Sequence, residues 1–302
     1  MACGAAGTVV HLVSTSLGGT ATILNPKPFL KWAGGKSQLL SQMAPYLPHQ
    51  CRCYAEPFCG SAALYWYLFG QAQQGKFHFQ QARLSDRNPE LINCYQIVRD
   101  RVEDLIQQLT EYRRQHSKAF YYHTRSLDQQ QLDPLTRAAR LIYLNKTCFN
   151  GLYRVNRAGQ FNVPMGRYRN PQIFDPEALR QASIALQNVT LSVADFQEVL
   201  TWATAGDFIY FDPPYYPLSK TASFTSYTDQ PFGEAEQIAL ANVVGELAQR
   251  GCYVMLSNAW VEPMLQLYRS WRCIELKASR VINSNRHKRG KISELLVVTY
   301  CC

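Results

Sequence analysis

Short apolar runs alternate with amphipathic stretches along most of the chain, and their spacing predicts the secondary structure. Five runs are predicted to form strands, at residues 53–55, 82–85, 189–192, 208–211 and 253–256. Helical patterns cover residues 63–69, 90–128 and 234–249, and a pair of strands at 273–276 and 295–299 closes the chain. Strands that alternate with helices indicate an α/β fold, with a mixed sheet and helices on both faces.

The strand predicted at residues 208–211 runs into Asp-Pro-Pro-Tyr, which is the strongest chemical signal in the sequence. Proline cannot continue a central strand, so Asp212 and Tyr215 are expected at the carboxyl edge of the sheet, where open α/β sheets bind ligands. The Asp212 side chain and the Pro213 carbonyl would accept both hydrogens of an exocyclic amine and favour the tetrahedral nitrogen that attacks an electrophile. Tyr215 would offer a flat face for a stacked base. The alternative is a strand-ending turn with a solvated aspartate.

Two small-residue turns in the first third of the chain indicate where a ligand could approach the backbone. Gly-Gly-Lys-Ser at residues 34–37 is not a phosphate loop, because Leu30 stands where that motif needs its first glycine. It is interpreted as a glycine turn beside a ligand, or as a simple helix entry. Residues 56–62 join a strand to a helix as in a nucleotide-binding α/β unit, and Asp86 after the next strand suits ribose hydroxyls.

The composition restricts the class of protein. The chain has 302 residues, of which 47% are hydrophobic and 18% charged, as in globular proteins. Its formal net charge of +9 favours a polyanionic partner. No run of about 18 apolar residues occurs, so no membrane partner is expected. Residues 1–26 lack Lys and Arg, unlike a signal or transit peptide, and are expected to be a poorly ordered extension or to form a short strand at 8–13.

The ten cysteines and six histidines do not form a metal-binding pattern. No C-x-x-C motif occurs, and the histidines do not cluster beside the closely spaced Cys51 and Cys53. We therefore expect a reduced, metal-free, cytoplasmic protein. Separately from this pattern, the protein is predicted to be of bacterial type and to act as a monomer.

A basic and aromatic segment at residues 134–174 contains no acidic residue. Its cations are Arg137, Arg140, Lys146, Arg154, Arg157, Arg167 and Arg169, and its interleaved aromatics are Phe149, Tyr153, Phe161 and Tyr168. Residues 156–159 can turn a hairpin between 151–155 and 160–163. Such a hairpin is expected to contact duplex DNA and to insert an aromatic ring beside a base. The alternative, a solvated surface hairpin, does not explain the missing acids.

A second basic stretch at residues 283–291 fits phosphate contacts, or is merely a soluble loop. The sequence shows no internal repeat and no low-complexity linker. We therefore predict one α/β catalytic domain made of residues 27–88 and 183–302. Residues 89–182 would be inserted into it as a mainly helical, DNA-binding target-recognition domain that carries the β-hairpin.

These motifs, in this order, resemble the Dam-type DNA adenine-N6 methyltransferases (the D12 class) from about residue 28 to residue 300. The matching stretches are P-F-L-K-W-A-G-G-K, E-P-F-C-G-S-A, N-G-L-Y-R-V-N-R-A-G-Q-F-N-V-P-M-G-R-Y, D-P-P-Y with F-T-S-Y at 224–227, and K-I-S-E-L-L. The resemblance implies a Rossmann-like methyltransferase fold and S-adenosylmethionine as donor. It also implies double-stranded DNA as the partner and a target adenine, commonly within GATC, that is flipped out of the duplex.

The resemblance also implies roles for individual residues. The donor would be bound by Trp32, Ala33, Gly34, Lys36, Glu56, Phe58, Gly60, Asp86, Asp195, Phe196 and Asp212. Asp86 would hold the ribose hydroxyls, and Asp195 with Phe196 the donor's adenine ring. The catalytic pocket would consist of Asp212, Pro213 and Tyr215. DNA contacts would come from Lys31, Phe149, Asn150, Leu152, Arg154, Pro164 and Tyr168, and from Asn285 and Arg289 in the basic loop.

Within the DNA contacts, Lys31 and Arg154 occupy the guanine-reading positions, and Phe149 matches the intercalating aromatic. The chain departs from the family pattern at two positions. Ala62 replaces a glycine, and Phe149 replaces a commoner tyrosine and so lacks a hydroxyl.

Other amino-methyltransferases need the same pair of acceptors, so RNA, cytosine N4 and a protein glutamine remain alternative substrates. A DNA-binding protein that has lost catalysis is a further alternative, which the intact Asp-Pro-Pro-Tyr disfavours. The absence of a Pro-Cys dipeptide argues against cytosine-C5 methylation through a thiolate.

Overall fold

The computed structural model describes residues 24–156, 158–217, 232–279 and 291–301. Within these ranges, seven strands form one sheet in the order β3-β2-β1-β4-β5-β7-β6. The strands are β1 Cys53–Glu56, β2 Gln81–Asp86, β3 Val189–Val193, β4 Phe208–Phe211, β5 Tyr253–Ala259, β6 Arg272–Ser279 and β7 Lys291–Val298. The possible strand at 8–13, the F-T-S-Y motif and residues 283–290 of the basic loop lie outside the described residues.

The sheet is mixed, as predicted. Strands β3, β2, β1, β4 and β5 are parallel, whereas β7 runs antiparallel to both β5 and β6. The chain goes from β1 outward to β2 and β3, then returns to β4 on the other side of β1. The carboxyl ends of β1 and β4 therefore form the switch point at which a doubly wound sheet opens a crevice.

The helices of the described ranges are α1 Leu40–Met43, α2 Ala63–Gln73, α3 Pro89–Asp100, α4 Val102–Gln115, α5 Lys118–Ser126, α6 Pro134–Thr147, α7 Pro176–Leu186, α8 Glu234–Gln249 and α9 Glu262–Leu267. None of these described helices has the length and apolarity needed to cross a membrane. Short 3₁₀ turns flank several of them.

Helices cover both faces of the sheet. In β4, Phe208 and Tyr210 belong to a hydrophobic cluster that contains residues of α2, α3, α6 and α7. Their neighbours Ile209 and Phe211 belong to a second cluster, which contains residues of α8 and α9. Successive side chains of a strand point to opposite faces, so the two clusters are the two sides of the sheet.

Three helices begin in the same way, with a polar cap followed by proline. The side chains of Asn88, Asp133 and Asp175 each accept hydrogen bonds from two backbone N–H groups of the first helical turn. The residue after each cap is a proline, whose fixed φ suits that position and whose missing N–H is not needed there. These local signals set the starts of α3, α6 and α7.

The chain leaves the sheet after β2 and returns at β3, and α3 to α7 lie between these adjacent strands. This excursion corresponds to the segment for which an inserted domain is predicted. Its buried residues share one hydrophobic cluster with the sheet residue Leu84. The division of the chain into a catalytic and a recognition domain stays a prediction.

The hairpin predicted around residues 156–159 forms, but its pairing is short. Val155 and Phe161 make one antiparallel bridge, with backbone hydrogen bonds from Asn156 to Gln160 (2.9 Å) and from Asn162 to Arg154 (3.0 Å). The Asn156 side chain closes the turn by accepting the N–H groups of residues 158 and 160 at 3.0 Å. The result is a compact turn, not a pair of extended strands.

Ala62, immediately before α2, has a backbone conformation that favours glycine. Its φ and ψ are 51° and 38°, in the left-handed region. Its N–H donates to the Cys59 carbonyl at 2.6 Å, so the turn that leads into α2 depends on this conformation. A side chain in this region costs about 1–2 kcal/mol, which gives a physical reason for the glycine that the family pattern has here.

We expect Ala62→Gly to leave the free energy of unfolding unchanged or to raise it by up to about 1 kcal/mol. Relief of about 1–2 kcal/mol of strain outweighs the loss of one buried methyl group, worth about 1 kcal/mol. The matched control is Ala72→Gly inside α2, which should lower stability by about 1 kcal/mol. Denaturant titration measures both free energies of unfolding. An equal loss of stability in the two variants would contradict a strained backbone at Ala62.

Candidate active site and DNA-binding surface

A cavity of about 510 Å³ lies at the switch point. The residues predicted to bind the donor that line it are Trp32, Ala33, Gly34, Lys36, Glu56, Phe58, Gly60, Asp86 and Asp212, and Pro213 and Tyr215 lie beside them. The cavity therefore joins the two small-residue turns to the end of β4. Asp195 and Phe196 are not part of its lining.

The two turns on either side of the cavity interlock through Gly60. A Cβ at this position would lie 2.8 Å from the Trp32 ring, and φ of Gly60 is 46°. Gly60 therefore allows both the close approach and the left-handed backbone. The Tyr95 hydroxyl donates to the Gly60 carbonyl at 3.0 Å and connects this turn to α3.

An ion pair between buried Lys36 and partly exposed Asp212 connects the first turn to the end of β4. Lys36 is only 3% exposed, and its Nζ lies 2.9 Å from Asp212 Oδ1. The same ammonium donates to the Gly34 carbonyl and lies 4.8 Å from the centre of the Tyr215 ring. Burial raises the pKa of Asp212, and the Lys36 charge opposes this shift. Lys36 was expected to bind the donor, but its contact with Asp212 was not foreseen.

The backbone after Asp212 is held by two buried amides. The Tyr216 N–H donates to Asn258 Oδ1 at 3.0 Å, Asn258 Nδ2 donates to Gln237 Oε1 at 2.9 Å, and Gln237 Nε2 donates to the Pro214 carbonyl at 3.0 Å. Sequence reasoning missed both amides. The only signal was a polar Ser-Asn pair after the apolar part of β5, and β5 continues through it to Ala259.

Tyr215 is held at its hydroxyl by Glu294, the glutamate of the K-I-S-E-L-L stretch, to which the sequence analysis assigned no role. The hydroxyl donates to Glu294 Oε2 on β7 at 2.6 Å. Burial, followed by the Asp212 charge, raises the pKa of Tyr215, so this hydroxyl stays protonated.

Glu56, at the end of β1, is a buried acid in the cavity wall. Its Oε1 accepts from the Tyr54 hydroxyl at 2.6 Å and from the Tyr65 N–H at 2.7 Å. Burial nevertheless raises its pKa to about 8. A cationic ligand would favour the ionised form, because an opposite charge nearby lowers the pKa of an acid.

Asp86, at the end of β2, faces the cavity from the other side. It accepts hydrogen bonds from the N–H groups of Gly60 (3.2 Å) and Asn88 (3.0 Å). Burial raises its pKa to about 6 in spite of these hydrogen bonds. Its place after the second strand is the one from which a carboxylate can reach ribose hydroxyls.

The remaining two predicted donor residues lie behind the cavity wall. Asp195 Oδ2 is 2.6 Å from the Arg87 guanidinium, and Arg87 itself lines the cavity. Asp195 Oδ1 accepts from the Gln197 N–H at 2.9 Å and so caps the 3₁₀ turn Phe196–Thr201. Phe196 is buried and stacks on Phe58 at 5.5 Å between ring centres. The two residues therefore support side chains of the cavity wall.

The structure also brings Lys31 together with the basic hairpin segment. The buried side chain of Asn145 accepts from the Lys31 N–H at 2.8 Å and donates to the carbonyls of Lys31 (2.7 Å) and Gly151 (3.2 Å). The Lys31 ammonium lies 5.2 Å from the centre of the Tyr168 ring. A side chain at Gly151, where φ is 65°, would clash with Lys31.

An exposed apolar surface surrounds this contact. Phe149, Leu152 and Tyr168 are 49%, 36% and 39% exposed, which is unusual for large apolar side chains. Asn150 has a left-handed backbone with φ of 56°, and the Phe149 N–H donates to the Pro164 carbonyl at 2.9 Å. The turn therefore holds the Phe149 ring at the surface.

Arg154 lies on the same segment and points along its own hairpin. Its Nε donates to Asn162 Oδ1 at 2.7 Å. Behind it, Tyr153 is buried and stacks on Trp32 at 5.1 Å between ring centres, which connects the hairpin to the cavity. Asn285 and Arg289 lie outside the described residues.

The doubly wound sheet and the cavity at its switch point, lined by Asp212, Pro213 and Tyr215, are typical of a Rossmann-like enzyme. A family model described as D12 class N6 adenine-specific DNA methyltransferase matches residues 32–282. The chain therefore belongs to this family, and the resemblance seen in its motifs is confirmed.

Several curated proteins are similar to this chain over most of its length. It is 43% identical over 291 residues to the type II methyltransferase M.MjaIII of Methanocaldococcus jannaschii, covering 91% of this chain and 99% of that protein. It is 40% identical to the type II methyltransferase M1.LlaDCHI of Lactococcus lactis subsp. cremoris, covering 92% and 96%. It is 34% identical to the DNA adenine methylase of Escherichia coli, covering 90% and 95%.

Between pH 4.5 and 8, we expect the free energy of unfolding of the wild type to fall as the pH rises. Relative to Glu56→Gln, the fall should be up to about 1 kcal/mol per pH unit. In this window the unfolded chain carries an ionised Glu56 and the folded protein a neutral one, so rising pH favours unfolding. The glutamine of the variant keeps the acceptor oxygen and cannot ionise. Denaturant titration at several pH values measures this, with exposed Glu262→Gln as the control. Parallel curves for wild type and Glu56→Gln would contradict a raised pKa.

Proposed function

We propose that this chain transfers a methyl group from S-adenosylmethionine to N6 of an adenine that is flipped out of duplex DNA, within GATC. The observation that carries the proposal is the single cavity that joins Asp212 and Tyr215 to the turns at Trp32 and Gly60. A donor and a target base could meet only where these elements share one space. Membership of an adenine-specific DNA methyltransferase family supports the same reaction.

The residues of the cavity fit the proposed donor. A volume of about 510 Å³ lies within the roughly 300–1,000 Å³ range of small-molecule sites. Asp86 offers a carboxylate for ribose hydroxyls, and the Phe58 ring, backed by Phe196, offers a face for a purine. Glu56 and Asp212 place two acidic groups beside the space for a cation. When bound, S-adenosylmethionine supplies a methyl group that its sulfonium has already made electrophilic.

Asp212 and the Pro213 carbonyl would hold the amino group of the adenine. Lys36 contacts Oδ1 of Asp212, so the amine is expected to donate to Oδ2. A second hydrogen would go to the Pro213 carbonyl, whose direction is fixed by the Asn258 and Gln237 hydrogen bonds to the adjoining backbone. Two acceptors favour the tetrahedral nitrogen of the transition state over the planar amine of the ground state. Proton release follows transfer, since the methylated nitrogen is a strong acid.

Base flipping is proposed to use Tyr215 inside the cavity and Phe149 at the surface. Tyr215 would stack on the flipped base, and Phe149, already exposed, would fill the space that the base leaves in the duplex. Residues 89–182 would form the recognition domain, with Lys31 and Arg154 reading guanines. Asn150, Leu152, Pro164 and Tyr168 lie on the same surface segment as Phe149 and would contact the neighbouring bases. Phosphate contacts are proposed for Asn285 and Arg289.

The experiment that tests the proposal incubates the protein with S-adenosylmethionine labelled in its methyl group. Duplex DNA with one GATC site, the same duplex with GTTC, single-stranded RNA and a mixture of proteins serve as acceptors. Label should appear in the GATC duplex and, after digestion, in N6-methyladenine. Label found only in RNA, in cytosine or in protein would replace the proposal by an alternative amino-methyltransferase activity.

Asp212→Ala should lower methyl transfer in this assay by at least about 100-fold while DNA and donor still bind, because one of the two acceptors for the amine is lost. Asp212→Asn, which keeps the shape and one acceptor oxygen, controls for the unpaired Lys36 in the alanine variant. Single-turnover rates, with donor and DNA binding measured separately, distinguish the loss of the acceptor from the effect of the unpaired Lys36. Turnover near that of the wild type would refute the role of Asp212.

Arg154→Ala should relax discrimination at one base pair, by about 1–3 kcal/mol, since a bidentate contact to guanine would be lost. Asn162→Ala is the matched control, because it removes the hairpin partner of Arg154 and keeps the guanidinium. Rates on duplexes that carry each of the three possible substitutions at every GATC position measure discrimination. A uniform loss across all sequences would instead identify Arg154 as a phosphate contact.

A further inference from the structure

Glu294 lies on β7, at the register position opposite Ala259 of β5. Its carboxylate is partly buried, and Oε2 accepts the hydrogen bond of the Tyr215 hydroxyl at 2.6 Å. Strand β7 is not adjacent to β4, so this hydrogen bond spans β5 to reach the segment that follows β4. A charged acceptor makes a shorter and stronger hydrogen bond than a neutral one.

The Tyr215 side chain is thereby held separately from its backbone. The backbone on both sides is fixed by Gln237 at Pro214 and by Asn258 at Tyr216. Both contacts are made to backbone atoms and do not involve the Tyr215 side chain. The ring itself contacts the Lys36 ammonium over its face, 4.8 Å from the ring centre, and Glu294 through its hydroxyl. A contact on the face and a hydrogen bond at the tip together define the plane of the ring.

We propose that Glu294 is a positioning residue, which sets the plane of the Tyr215 ring for the target base by accepting its hydroxyl hydrogen bond. The inference rests on the proposed function, in which the base stacks on Tyr215. Glu294 acts through Tyr215 and needs no contact with the base or the donor. A ring that is free to rotate would spend less time in the orientation that aligns the flipped base for transfer. The rate of transfer depends steeply on such alignment.

The carboxylate could also act through its charge, because Glu294 contributes to the raised pKa of Asp212. Positioning by a hydrogen bond and an electrostatic effect on Asp212 predict different outcomes for a glutamine at this position. Glutamine keeps an oxygen that accepts the tyrosine hydroxyl and removes the charge. Glu294→Gln therefore distinguishes positioning by a hydrogen bond from an electrostatic effect on Asp212.

The experiment compares Glu294→Ala, Glu294→Gln, Tyr215→Phe and the double variant Tyr215→Phe/Glu294→Ala in single-turnover methylation of a GATC duplex. Glu294→Ala and Tyr215→Phe should each slow transfer by roughly 3- to 10-fold, with donor affinity unchanged. The double variant should be no slower than the slower single variant, because both remove the same hydrogen bond. Glu294→Gln should rescue most of the rate.

A second measurement uses a duplex with 2-aminopurine at the target adenine. Relative to the wild-type complex, the fluorescence of the bound duplex should change in the same direction with Glu294→Ala and with Tyr215→Phe. With Glu294→Gln it should return towards the wild-type value. Exposed Glu275 on β6, whose register partner on β7 is Leu295, provides the control variant Glu275→Gln, which should behave as wild type. A role limited to folding would lower stability without this pattern of fluorescence.

Additive losses in the double variant, or a Glu294→Gln as slow as Glu294→Ala, would overturn the inference. A Glu294→Ala variant as active as the wild type would also overturn the inference, and it would leave the proposed function intact. If the wild type methylated no duplex DNA, both the proposed function and this inference would be overturned.

Discussion

The site depends on one ion pair, between the buried Lys36 ammonium and the partly exposed Asp212 carboxylate. A buried ammonium without a counter-charge is unfavourable, so removing one partner of such a pair costs more stability than replacing both. The pair therefore stabilises the contact between the first glycine turn and the end of β4. The same contact opposes the rise that burial imposes on the pKa of Asp212. One interaction thus contributes both to the assembly of the cavity and to the charge state of its central carboxylate.

Two of the contacts around this pair come from strands that follow Asp212 in the chain. Asn258 on β5 fixes backbone next to the carboxylate, and Glu294 on β7 holds the Tyr215 hydroxyl. The antiparallel β7 brings Glu294 to the same sheet edge as the carboxyl end of β4, because it runs opposite to β5. The reversed strand at the end of the sheet therefore contributes to the site as well as to the core.

The elements that follow local rules could be predicted from the sequence. The prolines after β4, the small residues before α2 and the Asp at the end of β2 place three parts of the site at one sheet edge. The pairing of Lys36 with Asp212, and of Tyr215 with Glu294, could not be predicted, because these residues are distant in sequence and no local pattern links their side chains. Asp195 was expected to bind the donor's adenine ring; it pairs with Arg87, which lines the cavity, and its role toward the donor stays a prediction. The hairpin turn was predicted from its Asn and Gly, but its pairing is shorter than the two predicted strands.

Trp32 connects the two halves of the proposed reaction. Its indole lines the cavity and stacks on buried Tyr153, which lies on the same segment as the exposed Phe149. If DNA binding moves the hairpin, this stacking contact would couple the movement to donor binding in the cavity, and donor binding would in turn affect the hairpin. Thermodynamic linkage makes this mutual: the factor by which one ligand changes the affinity for the other is the same in both directions.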